Sequence, residues 1–327
     1  MALPEHPHIV FGTASFGTGT AQAKICDEET ARPVLATLQA KQITNLDTAR
    51  AYPVGSPGTS EKLLGQLQVA SWATVSTKVQ SWAPGSHQAD RIRESIDLSL
   101  ATLKTDKVDI MYLHSPDRTT PFEETCRAMD AEYRKGKFAR FGLSNYKKEE
   151  VEEILTICET HGLVKPTVYQ GRYNAIIRSA ETELFPLLRQ HGMSFYAYSP
   201  AAAGLFTGKV SQESTQLAGS RWDNTTNMGK NYQNAYFKPS VLAAAQDTAK
   251  AAEAAGISGH ALALRWTIYH SALSHEHGDA VLVGASSLAQ LESNLDAVEA
   301  GPLSEDLVKL VINVGDLVAD EAAPYHL

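Results

Sequence analysis

Short runs rich in β-branched and aromatic residues alternate along this chain with longer stretches whose apolar positions recur every three or four residues. Residues 8–11, 43–46, 74–77, 108–113, 139–143, 167–170, 194–198 and 281–284 read as strands. Residues 29–41, 60–67, 89–103, 121–135, 148–160, 181–190 and 287–298 read as the helices between and after them. Strand and helix in strict alternation predict parallel strands joined by right-handed crossovers, and eight such units close a (β/α)8 TIM barrel. Helix punctuation agrees: Ser287 opens a polar turn before Gln290, Lys135 and Lys137 flank Gly136, and Gly162 follows a helix. Two segments break the rhythm. Residues 204–239 form a long polar stretch containing Arg221, Trp222, Tyr232 and Tyr236, which predicts a loop lying over the barrel mouth as a lid. Residues 240–255 and 260–269 read as two helices in series, and one more helix runs from about 305 to 317. No Pro/Ser linker or internal repeat divides the chain, so residues 1–327 are expected to form one domain.

Composition narrows the class. A hydrophobic content of 43% and a charged content of 20% suit a globular protein with a sizeable core. A formal charge of −8 leaves no basic stripe for a nucleic-acid backbone. Cys26, Cys126 and Cys158 cannot all pair within one chain and form no C-x-x-C, which points to a reducing compartment. Residues 1–8 lack the basic and apolar regions of a leader, and no apolar run approaches the ~18 residues of a membrane span. The expectation is a cytoplasmic protein acting on small molecules, away from membranes.

Four polar residues, Asp47, Tyr52, Lys78 and His114, fall at or just past strand ends, where a barrel brings them to one mouth. Together they make an acid–base set. An ammonium stabilises phenolate and a carboxylate keeps the ammonium charged, so Lys78 and Asp47 are expected to lower the pKa of Tyr52 and make it a proton donor. Taken singly, each has a plainer role: Asp47 as a cap, His114 as a structural hydrogen-bonder, Lys78 as a solvated charge or an aldolase-type Schiff base. The S-H-E-H-G stretch with His275 and His277 has neither helical spacing nor further ligands nearby, so no metal is expected. The opening F-G-T-A-S-F-G-T-G-T (11–20) is neither G-x-G-x-x-G nor a Walker loop. Its expected service is tight passage from the first strand, with Phe16 at the pocket edge.

The segments N-L-D-T-A-R-A-Y (45–52), S-T-K-V (76–79), D-I-M-Y-L-H (109–114), G-L-S-N-Y (142–146), Y-Q-G-R-Y-N (169–174), Y-A-Y-S-P (196–200) and V-G-A-S-S-L-A-Q-L-E-S-N (283–294) resemble the aldo-keto reductases. The resemblance covers nearly the whole chain. Its best match is the aflatoxin-aldehyde reductase branch, on the start at residues 8–12, A-G-L-F-T-G-K (203–209) and the closing segment. It implies NADPH extended across the mouth, hydride passing from the nicotinamide C4 to an aldehyde or activated ketone, a proton from Tyr52 and a carbonyl oriented by His114. An aldolase reading would leave the nucleotide-like segments unexplained.

Residue by residue, the resemblance places Ser144, Asn145 and Gln170 against the nicotinamide carboxamide, or else leaves Ser144 and Asn145 as an N-cap and turn. Tyr198 either stacks on the nicotinamide or packs in the core. Ser199, Pro200, Gly204, Leu205 and Lys209 would cradle the pyrophosphate, and Gly284, Ser286, Ser287, Gln290 and Asn294 the adenosine phosphate and adenine. NADPH-preferring relatives often carry a basic residue in this last segment, whereas here Ala285 and Gln290 stand. The 2′-phosphate would then fall to Ser286, Ser287 and Arg221. Phe16, Trp82, Phe206, Trp222, Tyr232 and Tyr236 are expected pocket walls for an aromatic or extended apolar substrate. Gln233, Ala235 and Leu327 stand where relatives that take acid-bearing aldehydes carry arginines, so succinic semialdehyde is expected to be a weak substrate. The resemblance also implies an added helix, a tail (322–327) folding back towards the site, and a homodimer. Two other readings stay open: an NADPH-binding regulatory subunit of the potassium-channel β-subunit kind, and a biosynthetic reductase of narrow specificity.

Overall fold

The structure, a computed structural model, describes residues 5–211 and 220–326. Eight parallel strands, β1 (His8–Gly12), β2 (Asn45–Asp47), β3 (Thr74–Val79), β4 (Val108–Leu113), β5 (Phe138–Ser144), β6 (Pro166–Arg172), β7 (Ser194–Tyr198) and β8 (Ala280–Gly284), pair in sequence order and close on themselves. The closing pair runs in register from His8↔Ala280 to Gly12↔Gly284. Outside lie α1 (Glu28–Ala40), α2 (Thr59–Gln66), α3 (Ala89–Leu103), α4 (Phe122–Arg134), α5 (Lys148–His161), α6 (Ala180–Glu183), α7 (Phe185–Gln190), α8 (Asn227–Tyr236), α9 (Pro239–Ala254), α10 (Gly259–Tyr269), α11 (Leu288–Glu299) and α12 (Glu305–Leu317). This is the expected TIM barrel, with α9 preceding α10 as the added helix.

Strand parity positions the site. Side chains two apart share a face, and a small apolar cluster of Val10, Ile110, Tyr112, Val168, Tyr196, Ala280 and Leu282 marks the face that fills the lumen. Continuing the same parity to the C-terminal ends brings Gly12, Asp47, Lys78, His114, Ser144, Gln170, Arg172, Tyr198 and Gly284 to the mouth. The opposite faces meet the helices in the larger core: α1 buries Ala31, Val34, Leu35 and Leu38, and its first turn is fixed by a capping box between Asp27 and Thr30.

The elements depart from expectation in instructive places. Asp47 and Lys78 lie inside β2 and β3 rather than beyond them, because each strand runs further towards the mouth than its apolar run. The helix expected over 181–190 is two, α6 and α7, since Pro186 has no N–H to continue the ladder. The polar segment after residue 204 is not all loop: Thr226 caps α8 by accepting from the Gly229 N–H at 3.0 Å. Residues 212–219 of that segment lie outside the described residues. After α12 the chain returns to the barrel, where Tyr325 is buried against Tyr169 and its carbonyl accepts from the Arg172 N–H at 3.3 Å. Among the described residues no helix is long and apolar enough to cross a membrane.

Candidate active site

A cleft of about 730 Å³ opens at the C-terminal ends of the strands. At its floor, the buried Lys78 ammonium donates to Asp47 Oδ1 and, at 2.8 Å, to the Thr48 carbonyl. The other Asp47 oxygen accepts from Gln170 Nε2 at 2.9 Å. Two of the three ammonium protons are thus committed, and the ammonium nitrogen stands 5.1 Å from the centre of the Tyr52 ring. Tyr52 meets the His114 ring edge-on at 5.5 Å, and Trp82 closes on His114 from another side at 5.2 Å. All four members of the expected acid–base set therefore meet at one place, and Asp47, Tyr52 and His114 line the cleft.

Residues behind the floor hold it in place. The Arg50 backbone N–H donates to the Lys78 carbonyl at 3.1 Å, and its guanidinium pairs with buried Glu61 at 2.6 Å. Glu61 also accepts from Thr77 Oγ1 at 2.7 Å, tying α2 to β3. Ser81 Oγ accepts from the His114 N–H at 3.2 Å and bonds His87 Nε2 at 2.8 Å. The loop carrying Tyr52 and the end of β4 are each held by buried hydrogen bonds.

The electrostatics correct one expectation. Burial pushes the Tyr52 phenol well above its ordinary range, and the Asp47 charge pushes it the same way; it is not acidified. Burial also drives His114 well below its usual value, with Lys78 adding to the effect, so the imidazole is neutral. Lys78 is lowered by burial, with Asp47 opposing the shift. Tyr232 behaves differently: burial would raise it, but Arg221, a Ser199 hydrogen bond and Arg172 outweigh burial and lower its pKa.

Beyond the floor the cleft is lined by Ser144, Asn145, Gln170, Tyr198, Ser199, Pro200, Gly204, Lys209, Arg221, Gly284, Ser286, Gln290 and Asn294, with Trp82, Trp222 and Tyr232 as aromatic walls. Tyr198 donates to Asn145 Oδ1 at 2.8 Å, and Asn145 donates to the His114 carbonyl at 2.9 Å. Asn294 braces the β8 end by donating to the Gly284 carbonyl at 3.1 Å. Arg221 closes on the β8 end, its Nη2 3.6 Å from where a Cβ on Gly284 would stand.

Five expected residues do not reach the cleft. Phe16 is fully buried against Phe11 because the glycine-rich turn folds inward, Phe206 and Leu205 point into the core beside α9 and α10, and Tyr236 is buried with its hydroxyl accepting from Asn174. Ser287 spends its hydroxyl capping α11, accepting from the Gln290 N–H at 3.2 Å. Leu327 lies outside the described residues. Conversely, Lys24, Arg172 and His260 line the cleft without having been singled out. Arg172 was findable: it is two positions beyond Gln170, on the same inward face of β6. Its guanidinium also removes the ground for expecting a carboxylate to enter the cleft unpaired. Among the described residues no group of three or more His, Cys, Asp or Glu forms a metal site.

A (β/α)8 barrel with a buried Asp–Lys pair, a tyrosine and a neutral histidine at its mouth defines a class of carbonyl-handling enzymes. The chain belongs to the aldo/keto reductase family, whose model matches residues 8–315. Among similar proteins, the oxidoreductase sirO of Leptosphaeria maculans is 39% identical over 100% of this chain and 99% of its own. Aflatoxin B1 aldehyde reductase member 2 of Homo sapiens is 42% identical over 86% of this chain and 80% of its own, and member 4 is 40% identical over 87% and 88%. The protein is an oxidoreductase of that family, whose members pair a nicotinamide nucleotide with a small carbonyl substrate.

Proposed function

We propose that this enzyme reduces an aldehyde or activated ketone, flanked by aromatic or extended apolar groups, to the alcohol at the expense of NADPH. The observation that carries the reading is the convergence of Asp47, Tyr52, Lys78 and His114 on one cleft floor. The donor set of the cleft fits a phosphorylated dinucleotide. Ser144, Asn145 and Gln170 offer amide and hydroxyl partners in the same cleft as Tyr198, Lys209 offers a cation along its wall, and Arg221 offers one at the β8 end. The volume falls within the ~300–1,000 Å³ of ordinary ligand pockets. A bound reduced nicotinamide supplies the hydride.

The chain's own residues do the rest. The neutral His114 imidazole donates a hydrogen bond to the carbonyl oxygen, and Trp82 holds the ring in place. Tyr52 enters the reaction as a protonated phenol and gives its proton to the oxygen as it becomes alkoxide-like, a far stronger base than phenolate. Lys78 then stabilises the phenolate left behind, and Asp47 keeps Lys78 charged against its burial. The pair serves the phenolate once formed rather than acidifying the resting phenol. Trp82, Trp222 and Tyr232 supply the aromatic walls. The resemblance supports a homodimer, and the free Cys26, Cys126 and Cys158 support a reducing, cytoplasmic setting.

The test is NADPH oxidation with 4-nitrobenzaldehyde, wild type against Tyr52→Phe. The expected outcome is turnover by the wild type and a loss of roughly 10²–10⁴-fold in the variant, the usual worth of general acid catalysis. Near-normal turnover by the variant would remove Tyr52 as donor, and NADPH binding without turnover by the wild type would favour a regulatory subunit.

A further inference from the structure

Arg172 is a buried cleft charge that the reaction does not use. It is only 5% exposed, and its Nε finds no hydrogen-bond partner among the described residues. Among the described residues no carboxylate forms an ion pair with it; burial opposes its charge, and the neighbouring Tyr198, Tyr236 and Tyr232 favour it. The cleft carboxylate, Asp47, is already engaged by Lys78 and Gln170. The guanidinium carbon stands 5.9 Å from the ring centres of both Tyr198 and Tyr232. A buried charge without a counter-ion is costly to keep, so its place asks for a purpose.

We propose that Arg172 sets the preference of the site for the reduced over the oxidised nicotinamide, through a fixed positive charge beside the Tyr198 platform. The inference rests on the reading of Tyr198 as the nicotinamide platform. The nicotinamide ring is neutral when reduced and positive once its hydride has gone. Stacked aromatic centroids lie about 4.5–7 Å apart, so a ring on Tyr198 sits within roughly 13 Å of the guanidinium whichever face it uses. At an effective dielectric near 20, two positive charges at the far end of that range disfavour each other by about tenfold, more when closer, and solvent screening lowers this to about 3–10-fold. The guanidinium thereby favours entry of NADPH and departure of NADP⁺, while slightly weakening the driving force of hydride transfer itself. Arg172 acts through charge and is a positioning residue with respect to the chemistry.

The experiment is the dissociation constant of NADPH and of NADP⁺, each read from quenching of tryptophan fluorescence, for wild type, Arg172→Gln and Arg172→Lys at one ionic strength. The wild type is expected to bind NADPH more tightly by at least about 3-fold, Arg172→Gln to lose about 3–10-fold of that ratio, and Arg172→Lys to retain it. An unchanged ratio in Arg172→Gln overturns the proposal. Equal weakening of both nucleotides overturns it in favour of a phosphate contact. Unchanged affinities with a raised KM for carboxylate-bearing substrates alone overturn it in favour of a substrate anchor. Equal affinities in the wild type overturn it without any variant. If the wild type binds neither nucleotide, the proposed function falls as well; if both bind with an unaltered ratio, only the role of Arg172 falls.

Discussion

At the scale of single residues, the proposed acid–base set would work by division of labour rather than by a shared pKa shift. Tyr52 is held protonated by burial, His114 neutral by burial, and Lys78 charged by Asp47. This has a direct spectroscopic consequence. A phenol whose folded pKa is raised above its ordinary value near 10 keeps its proton as pH rises through that value. In the nucleotide-free protein, tyrosinate absorbance titrated upward in pH is therefore expected to show no difference between wild type and Tyr52→Phe below about pH 10. A wild-type excess of one tyrosinate near pH 8 would restore the acidified phenol. Removing the ammonium is expected to do more than slow the reaction. Lys78→Met leaves Asp47 buried without its cation, and breaking a buried pair in this way costs about 3–5 kcal/mol. Denaturant unfolding is expected to register that loss.

At the scale of elements, the floor depends on how α2 grips β3 and the loop after β2. Glu61 on α2 is fully buried and holds both Arg50 and Thr77, while the Arg50 N–H is bonded to the Lys78 carbonyl. Glu61→Ala would strand the Arg50 guanidinium, and a destabilisation of about 3–5 kcal/mol is expected in denaturant unfolding. Activity with 4-nitrobenzaldehyde is expected to fall further than stability alone explains, because the Tyr52 loop loses its anchor. Much of this was legible from the chain, because strand ends are marked by apolar runs and parity then carries side chains to the mouth. The same parity rule, carried two residues past Gln170, reaches Arg172. Less legible were positions governed by turn geometry. The glycine-rich turn that buries Phe16 and the 3₁₀ segment Ala202–Thr207 that turns Leu205 and Phe206 inward have no periodicity to read. Helix α8 was hidden because its surface is polar and its identity rests on the Thr226 cap.

At the scale of the whole molecule, charge is distributed against its own average. The chain carries a formal charge of −8, yet the described residues of its cleft include Lys24, Arg172, Lys209 and Arg221 against the single carboxylate of Asp47, itself paired with Lys78. An acidic surface around a basic cleft focuses anions inward, because low-dielectric walls channel the field where solvent is excluded. On the proposed reading, this field draws in the phosphates of the nucleotide, and NADPH, with one phosphate more than NADH, gains the larger share. The gain must weaken with salt, since the screening length falls from about 10 Å at 0.1 M to about 3 Å at 1 M. Raising ionic strength over that range is expected to weaken NADPH binding by at least about tenfold, to weaken NADH binding less, and so to narrow the preference between them. Arg221→Ala is expected to narrow it at low salt too, because its guanidinium lies against Gly284 at the β8 end, where the 2′-phosphate is proposed to sit. Parallel weakening of the two nucleotides with salt would mean that the cleft charge steers the dinucleotide as a whole, and that the preference for NADPH, if measured, comes from contacts other than these cations.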